Sequence, residues 1–579
     1  MFAAGSGSLP PLSYTHDGSQ VTITDCDSAY EGELLVPAII EGLPVVLIGE
    51  SAFEDCRDLS RVVLPDSVEQ IEADGFNGCL KLASIALPAN LQSIGAGAFR
   101  DCRQLSALVL PAGVTIIGER AFERCISLQS ITLSASLTGI GDFAFKNCVE
   151  LDAITLPSSL NSLGVGAFSA CAQLQAIGLD EPNNQFSVID GVLFDQAVGT
   201  LLSFPAGRDG AYTVPEGVTT IRAWAFSDSL YIDQIHLPSS LTALEEGAFN
   251  ACRELITMEI PAGVTALPDF TFQGCQSLQT LTIPDSVLDI EPGALRFMPA
   301  LRHLEVAATN PRYASRAGVL LDESQKSFVK YPAQRPGTGY AIPQGFTGIA
   351  DYAFEDSLYL QTVRLPDGLT AIGFASFSDC YRLEAIALPY SLADIAASAF
   401  TDCPLLEAVY FLGSAPTIAP GAFTRSPAAI AYFFEGASGF AAPVWTYESN
   451  FNNSIAAVEL PAASRTPFLE WRLRSGYRHD SSPEDPARAF SSILGEYALG
   501  LGLAGTASPP SSETLGENFA LRFFAGRSDV AYTVLSSDLR SDWTSDPVSL
   551  SPIDADGYRT ASIPLADQGF MRIAFAHQP

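Results

Sequence analysis

Phenylalanine recurs at one constant interval, the step from Phe53 to Phe76, along most of this 579-residue chain: at Phe53, Phe76, Phe99, Phe122, Phe145 and Phe168, again at Phe226, Phe249 and Phe272, and finally at Phe354, Phe377, Phe400 and Phe423. Leu295 stands in the same place between the second and third blocks, which makes fourteen units. A fixed period of this length means one small supersecondary unit repeated in series. Each unit is too short to bury its own apolar face, so the core must come from stacking, and the fold is a solenoid.

One unit runs through Leu82-Ala83-Ser84-Ile85-Ala86-Leu87-Pro88, Leu91, Ile94-Gly95-Ala96-Gly97-Ala98-Phe99 and Cys102. The alternation around Ile85 predicts a short β-strand with Leu82, Ile85 and Leu87 pointing inward. Pro88 ends it, because proline cannot continue a hydrogen-bond ladder. Pro65, Pro111, Pro157, Pro238, Pro261, Pro284, Pro366 and Pro389 repeat that stop. Leu91 and Ile94 carry the chain back through a glycine-assisted bend. Ala98 is small where coils approach, and Phe99 fills the middle.

The cysteines share the period. Cys56, Cys79, Cys102, Cys125, Cys148 and Cys171 follow one another at the interval of the phenylalanines, as do Cys252 and Cys275, and Cys380 and Cys403. Metal ligands converge from short, unequal spacings, whereas this pattern puts one thiol at the same point of every coil. Buried structural thiols are expected, with disulfides between coils as the alternative; Cys26 lies outside the row.

Two longer connections interrupt the period, near 180–215 and 307–343. The interval from Phe186 to Tyr313 equals that from Gly191 to Gly318, so the insertion is itself repeated. Strand pairs around Val192 to Phe194 and Leu201 to Phe204 are expected there. Residues 12–52 read as an N-terminal cap and 53–447 as the solenoid. Beyond it, 456–501 has helical spacing of apolar residues and 515–579 reads as an antiparallel β module, with strands at Phe519 to Phe524, Ala531 to Leu535, Arg559 to Ile563 and Phe570 to Phe575.

The sequence carries 31 Lys plus Arg against 65 Asp plus Glu, a formal charge of −34. That balance disfavours nucleic acid and anionic membrane surfaces as partners. No apolar run is long enough for a transmembrane segment. Met1-Phe2-Ala3-Ala4 opens without a basic or apolar leader pattern, so either this form is not exported or the sequence starts near a mature terminus or at a misplaced start. No nucleophile elbow, phosphate loop or metal-ligand spacing stands in a supporting context, and no cofactor or metal is expected. Asp554-Ala555-Asp556-Gly557 is only a fragment of a calcium loop.

What remains is a surface. If Ile232 and Ile235 point inward, then Gln234, Thr257, Thr280 and His303 form one outward column, and His236, Glu259, Thr282 and Glu305 form another. His236 and His303 are three coils apart, roughly 14 Å at the usual strand spacing, too far for joint ligation. Earlier coils present smaller residues: Ser84, Ala86, Ala107, Val109, Ser130, Thr132, Ala153 and Thr155. Arg61, Arg364 and Tyr410 are isolated outward decorations.

The unit Leu-x-x-Ile-x-Leu-Pro … Leu-x-x-Ile-Gly-x-x-Ala-Phe-x-x-Cys resembles that of the BspA-like leucine-rich-repeat family of bacterial surface proteins, over roughly residues 12–447. Ala98-Phe99 with Cys102, Ala121-Phe122 with Cys125, Ala144-Phe145 with Cys148, Ala248-Phe249 with Cys252 and Ala399-Phe400 with Cys403 carry the likeness. Departures are Leu295, and Ser229 and Ser357 where cysteine would stand. The tail, with Glu496-Tyr497-Ala498-Leu499-Gly500, Ser528-Asp529-Val530-Ala531-Tyr532-Thr533-Val534, Ser536-Ser537-Asp538-Leu539 and Trp543, resembles a carboxy-terminal module of secreted proteins from Verrucomicrobia-type bacteria. It lacks the Asp/Gly-rich run that often precedes the tyrosine segment there.

The expected architecture is thus a leucine-rich-repeat solenoid of 23-residue units with a parallel β-sheet on one face, followed by a small helix-plus-β-sandwich domain. The resemblance implies a non-enzymatic, extracellular or cell-surface scaffold that binds a protein or carbohydrate. The alternatives are a structural spacer or envelope-layer protein, or an accessory module for carbohydrate or enzyme targeting.

Overall fold

The computed structural model describes residues 5–440, 442, 444–448 and 453–460 and, as backbone strands only, 511–515, 518–524, 530–537, 549–550, 558–564 and 570–577. The chain divides into two compact units, Met1–Leu320 and Leu321–Pro579.

The first unit opens with an antiparallel cap, Gly5–Leu9, Leu12–His16 and Val21–Cys26, whose Leu12, Tyr14, Val21 and Ile23 are buried. The coils follow, and each contributes two strands. The expected one forms short parallel runs: Gly32–Leu35 with Leu59–Val63 and Ser84–Ala86, then Ala107–Val109 with Ser130–Thr132, then Ala153–Leu156 with Ala176–Leu179. A sheet on one face alone was too simple an expectation. Two-residue strands Gln70–Ile71, Ser93–Ile94, Ile116–Ile117, Gly139–Ile140 and Ser162–Leu163 build a second parallel ladder, continuous with the cap through Leu43–Ile48.

Glycine makes that second ladder possible. A Cβ on Gly118 would lie 2.5 Å from the Ala96 nitrogen, and one on Gly164 would lie 2.2 Å from the Asp142 nitrogen. Any side chain there would push successive coils apart. The turn two residues after each anchor is left-handed, and Asp55, Asp101, Asn147 and Asp228 occupy it with φ between 57° and 59°. Asp and Asn tolerate that conformation better than other non-glycine residues.

Inside, Phe53, Phe76, Phe99, Phe122, Phe145 and Phe168 stack with centroids 4.7 to 5.7 Å apart and planes within 15°. The anchor amides bond from coil to coil, as where Phe99 N donates to Ala121 O at 2.7 Å. Beside the ring row, each thiol after Cys56 donates to an anchor carbonyl one coil back: Cys79 Sγ to Phe53 O at 3.1 Å, Cys102 to Phe76 at 3.2 Å, Cys125 to Phe99 at 3.1 Å and Cys148 to Phe122 at 3.2 Å. All eleven cysteines are buried and free, so the inter-coil disulfide alternative is not realised. Burial pushes the Cys171 and Cys275 thiols up to about 12, which keeps them protonated and unreactive.

The first insertion is an antiparallel run, Phe186–Ile189, Val192–Asp195 and Thr200–Ser203. Thr200–Ser203 then rejoins the short ladder against Thr220–Ile221. Phe204 stands 4.7 Å from Phe226 and so starts the next stack of rings from within the insertion.

The second unit repeats the plan. Phe328 takes the stand-in role 4.5 Å from Phe354, and Phe354, Phe377, Phe400 and Phe423 stack at 4.7, 5.1 and 5.2 Å. Its longer sheet runs Gly339–Ala341, Thr362–Arg364, Ala385–Leu388, Ala408–Phe411, Ile430–Phe434 and Asn453–Leu460, with Val444–Glu448 antiparallel at the edge. Residues 456–460, read from sequence as the start of a helical linker, are therefore strand. They pair in parallel with Ile430–Phe434, and the β-branched and aromatic residues of that partner favour the extended form. The rest of the helical segment, Trp543 and Asp554 to Gly557 lie outside the described residues. In the tail, Asn518–Phe524 pairs antiparallel with Ser511–Leu515 and Tyr558–Pro564, and Val530–Ser537 with Phe570–His577. These contain the four strands expected there.

Candidate functional site

The residues of the first outward column, and Glu259, Thr282 and Glu305 of the second, are in register. A five-stranded parallel sheet, Asp209–Thr213, Tyr231–His236, Thr257–Glu259, Thr280–Ile283 and His303–Val306, aligns Gln234 with Thr257, Thr257 with Thr280 and Thr280 with His303. In the adjacent column Glu259 aligns with Thr282 and Thr282 with Glu305. Ile232, Ile235, Met258, Leu281 and Leu304 alternate with these residues and are buried, which forces the polar set outward. Gln234, His236, Thr257, Glu259, Thr280, Thr282 and Glu305 are exposed and His303 is half-buried.

The sheet has one strand more than the sequence reading gave it. Asp209–Thr213 leaves the first insertion and sets Ala211 beside Gln234 and Thr213 beside His236. At the other edge His303 Nε2 lies 3.8 Å from Glu305 Oε1. The imidazole packs over Gly318, where a Cβ would come within 2.5 Å of Nδ1 and φ is +82°. Five strands at the usual spacing span roughly 19 Å.

The isolated decorations fare differently. Arg61 is exposed and sits 3.6 Å from Glu33 on the neighbouring strand. Arg364 is half-buried. Tyr410 is a correction: it is 1% exposed, so it cannot act as a contact residue on an open face. Its outward neighbours Ala385, Ala387 and Ala408 are also buried, in one apolar cluster with Leu412, Phe434 and Leu460.

Two grooves lie in the first unit. One, of about 620 Å³, is lined by Ile85, Ala86, Ala107, Leu108 and Val109 and coincides with the strip of small outward residues. The other, of about 560 Å³, gathers Arg57, Arg100, Arg103 and Arg124 with Asp55 and Asp101. Sequence reasoning missed it. Arg57 and Arg103 stand at the same offset after their anchors, which was the available signal, but only the turn geometry brings these successive coils together. Every one of these guanidiniums is within 3.6 Å of a carboxylate, as in Arg103 to Asp101 at 2.8 Å and Arg124 to Asp101 at 3.3 Å, so the groove carries little net charge. Among the described residues no three His, Cys, Asp or Glu side chains are arranged to hold a metal ion.

The sequence profile of the BspA type leucine rich repeat region matches residues 41–114, 92–197, 211–316 and 338–435, together more than half of the chain. The chain belongs to this family. Among solved structures, this BspA-type protein is similar to the pneumococcal vaccine antigen PcpA, with 20% identity, a TM-score of 0.48 and coverage of 68% of this chain and 94% of the other. A leucine-rich cell surface protein of Faecalibacterium prausnitzii matches with 21% identity, a TM-score of 0.35 and coverage of 75% and 96%. A leucine-rich repeat protein of Bacteroides ovatus matches with 19% identity, a TM-score of 0.35 and coverage of 78% and 99%. No curated protein matches the BspA-type chain. Among its described residues no helix is long and apolar enough to cross a membrane.

Proposed function

We propose that this BspA-type protein is a non-enzymatic binding scaffold of the bacterial cell surface or its surroundings, and that it recognises a protein or glycan through the outward face of the sheet spanning Asp209 to Val306. The observation that carries the reading is the pair of in-register columns, Gln234-Thr257-Thr280-His303 and Glu259-Thr282-Glu305, held on a buried interior. Hydrogen-bonding groups repeated at strand pitch on a rigid sheet lose little conformational entropy on binding, the general route to affinity on a flat surface. Family membership supports a scaffold role. Arg61 and Arg364 are peripheral in this reading. We also propose that the tail strands form the compact module that the likeness to secreted Verrucomicrobia-type proteins implies, in a supporting role.

The test is direct. Full-length protein is screened against arrays of oligosaccharides and of purified extracellular glycoproteins, beside a Thr257→Arg, Thr280→Arg variant. Saturable binding that the double variant weakens at least about tenfold, roughly 1.4 kcal/mol, supports the reading. Binding that the variant leaves intact places recognition elsewhere, and self-association without any capture supports the spacer alternative.

A further inference from the structure

The position two residues before each phenylalanine anchor is left-handed, and its occupants fall into contrasting kinds. Gly97, Gly166 and Gly247 hold it with φ of 60° to 62°, a conformation that glycine adopts without strain. Phe143, Trp224 and Phe270 hold it with φ of 54°, 60° and 61°, where a bulky side chain is disfavoured. The turn alone asks for glycine, so three large rings stand there at a conformational cost. They also differ from the anchors beside them. Phe145, Phe226 and Phe272 are fully buried, whereas Phe143, Trp224 and Phe270 are half-buried and reach the surface.

The three rings form one strip across the turns. Phe143 reaches over Gly166, where a Cβ would lie 2.5 Å from its Cε1, and Trp224 reaches over Gly247, where a Cβ would lie 2.7 Å from its Cε3. The bare backbone beneath lets the rings meet: Phe143 touches Trp224 edge-on at 6.1 Å between centroids, and Trp224 stacks with Phe270 at 5.9 Å. Charges of both signs border the strip. Lys146 Nζ lies 5.0 Å from the Phe143 centroid and 5.8 Å from that of Trp224, and Arg120 Cζ lies 5.6 Å from Phe143. Asp142 and Glu246, which precede Phe143 and Gly247 in the chain, are exposed.

We propose that this strip is a second binding surface, on the turns and not on the sheet face, and that it takes an uncharged oligosaccharide. The C–H faces of a sugar ring pack on the negative faces of aromatic rings, and its hydroxyls both donate and accept hydrogen bonds. Three rings in series suit a chain of sugar units. Charge narrows the class further. A cationic ligand is opposed by Lys146 and Arg120 at the rings, and an anionic one by Asp142, Glu246 and the formal charge of −34. A neutral ligand can donate to the carboxylates and accept from the ammonium. The site shares no residue with the columns from Gln234 to Glu305 and is independent of the reading given for them.

The full chain is titrated calorimetrically with cellohexaose, laminarihexaose, maltohexaose and mannohexaose, with a hyaluronan hexamer as the anionic control and choline chloride as the cationic one. Saturable binding of a neutral hexamer is expected. Trp224→Gly supplies the residue that the turn favours, so it is expected to keep the melting temperature within about 2 °C of the parent while weakening that binding at least about tenfold. Trp224→Leu keeps an apolar side chain over Gly247 without an aromatic face, and the same loss is expected; this variant decides the matter if Trp224→Gly fails to fold. Thr257→Arg with Thr280→Arg is expected to leave the affinity unchanged. Binding of none of the neutral hexamers overturns the proposal, as does tighter binding of hyaluronan or choline. Full affinity in Trp224→Leu also overturns it, because the aromatic face is then not what binds. Affinity lost in the threonine variant and kept in Trp224→Gly assigns the saccharide to the sheet face and removes this site.

Discussion

The sheet faces at Gln234 to Glu305 and at Ala385 to Leu460 rest on interiors that are nearly interchangeable. Behind both lie stacked phenylalanines, Phe249 with Phe272 at 5.6 Å and Phe377 with Phe400 at 5.1 Å, and a thiol bonded to an anchor carbonyl, Cys275 to Phe249 at 3.2 Å and Cys403 to Phe377 at 3.0 Å. In front, one face is polar and open, and the other is apolar and buried at Ala385, Ala387, Ala408 and Tyr410. Inward and outward residues alternate along each strand, so the interior can be held to a strict period while the exterior changes freely. Stability and recognition are thereby separated on a single backbone.

The comparison is sharpened most by the interior. Phe249→Ala and Phe400→Ala should each cost about 3 to 5 kcal/mol of unfolding free energy, read from urea denaturation, since both rings are fully buried. A loss below about 1 kcal/mol for either one would break the claim of equivalent interiors.

The exteriors should then diverge. Tyr410→Ala is expected to cost about 2 to 4 kcal/mol, whereas Thr280→Ala, on the open face, should stay within about 0.5 kcal/mol. Equal effects would mean that the two faces are not distinct.

A smaller effect concerns the cysteine row. Ser229 and Ser357 replace it at buried positions, and neither hydroxyl has a hydrogen-bond partner. Ser426, in the same place near the end of the row, donates to Phe400 O at 2.6 Å. Ser229→Cys and Ser357→Cys should each gain about 1 kcal/mol, and Ser426→Cys should gain nothing. A uniform response at all three would refute the argument from orphaned hydroxyls.

The smallest effect depends on pH. Burial raises the Asp228 carboxyl above its ordinary value, opposed by the hydrogen bond from Ser227 Oγ at 2.8 Å and by Lys146 and Arg253. The folded state therefore holds the proton more tightly than the unfolded chain. That contribution is present in full below the unfolded value and is lost as pH rises through the folded one. Asp228→Asn should make the melting temperature fall less between acid and neutral pH than in the parent, and an unchanged slope would show the carboxyl to be irrelevant.

Much of the fold was legible because the repeat makes local and global signals agree. Phe99, Ala98 and Cys102 are where their spacing puts them, and the register of Gln234, Thr257, Thr280 and His303 followed from the period together with alternation. The second ladder was not legible. Ser93–Ile94 is a strand of minimal length, and its partners Gln70–Ile71 and Ile116–Ile117 lie a full period away on either side, so no local alternation reveals it. The arginine groove was hidden for a related reason, since it is assembled from turns of successive coils.

By itself, the sequence determined the period, and with it the interior: identical spacing places identical side chains at one height, and close-packed rows of rings and thiols follow. Tertiary structure decided what bridges the interruptions and what faces solvent. Phe204 and Phe328 extend the ring stacks of Phe226 and Phe354 from outside the period, because stacking requires a ring at a point in space and not at a position in the chain. Tyr410 has the sequence context of an exposed strand residue and is buried, because burial depends on what lies over a strand, and the alternation of the strand says nothing of that.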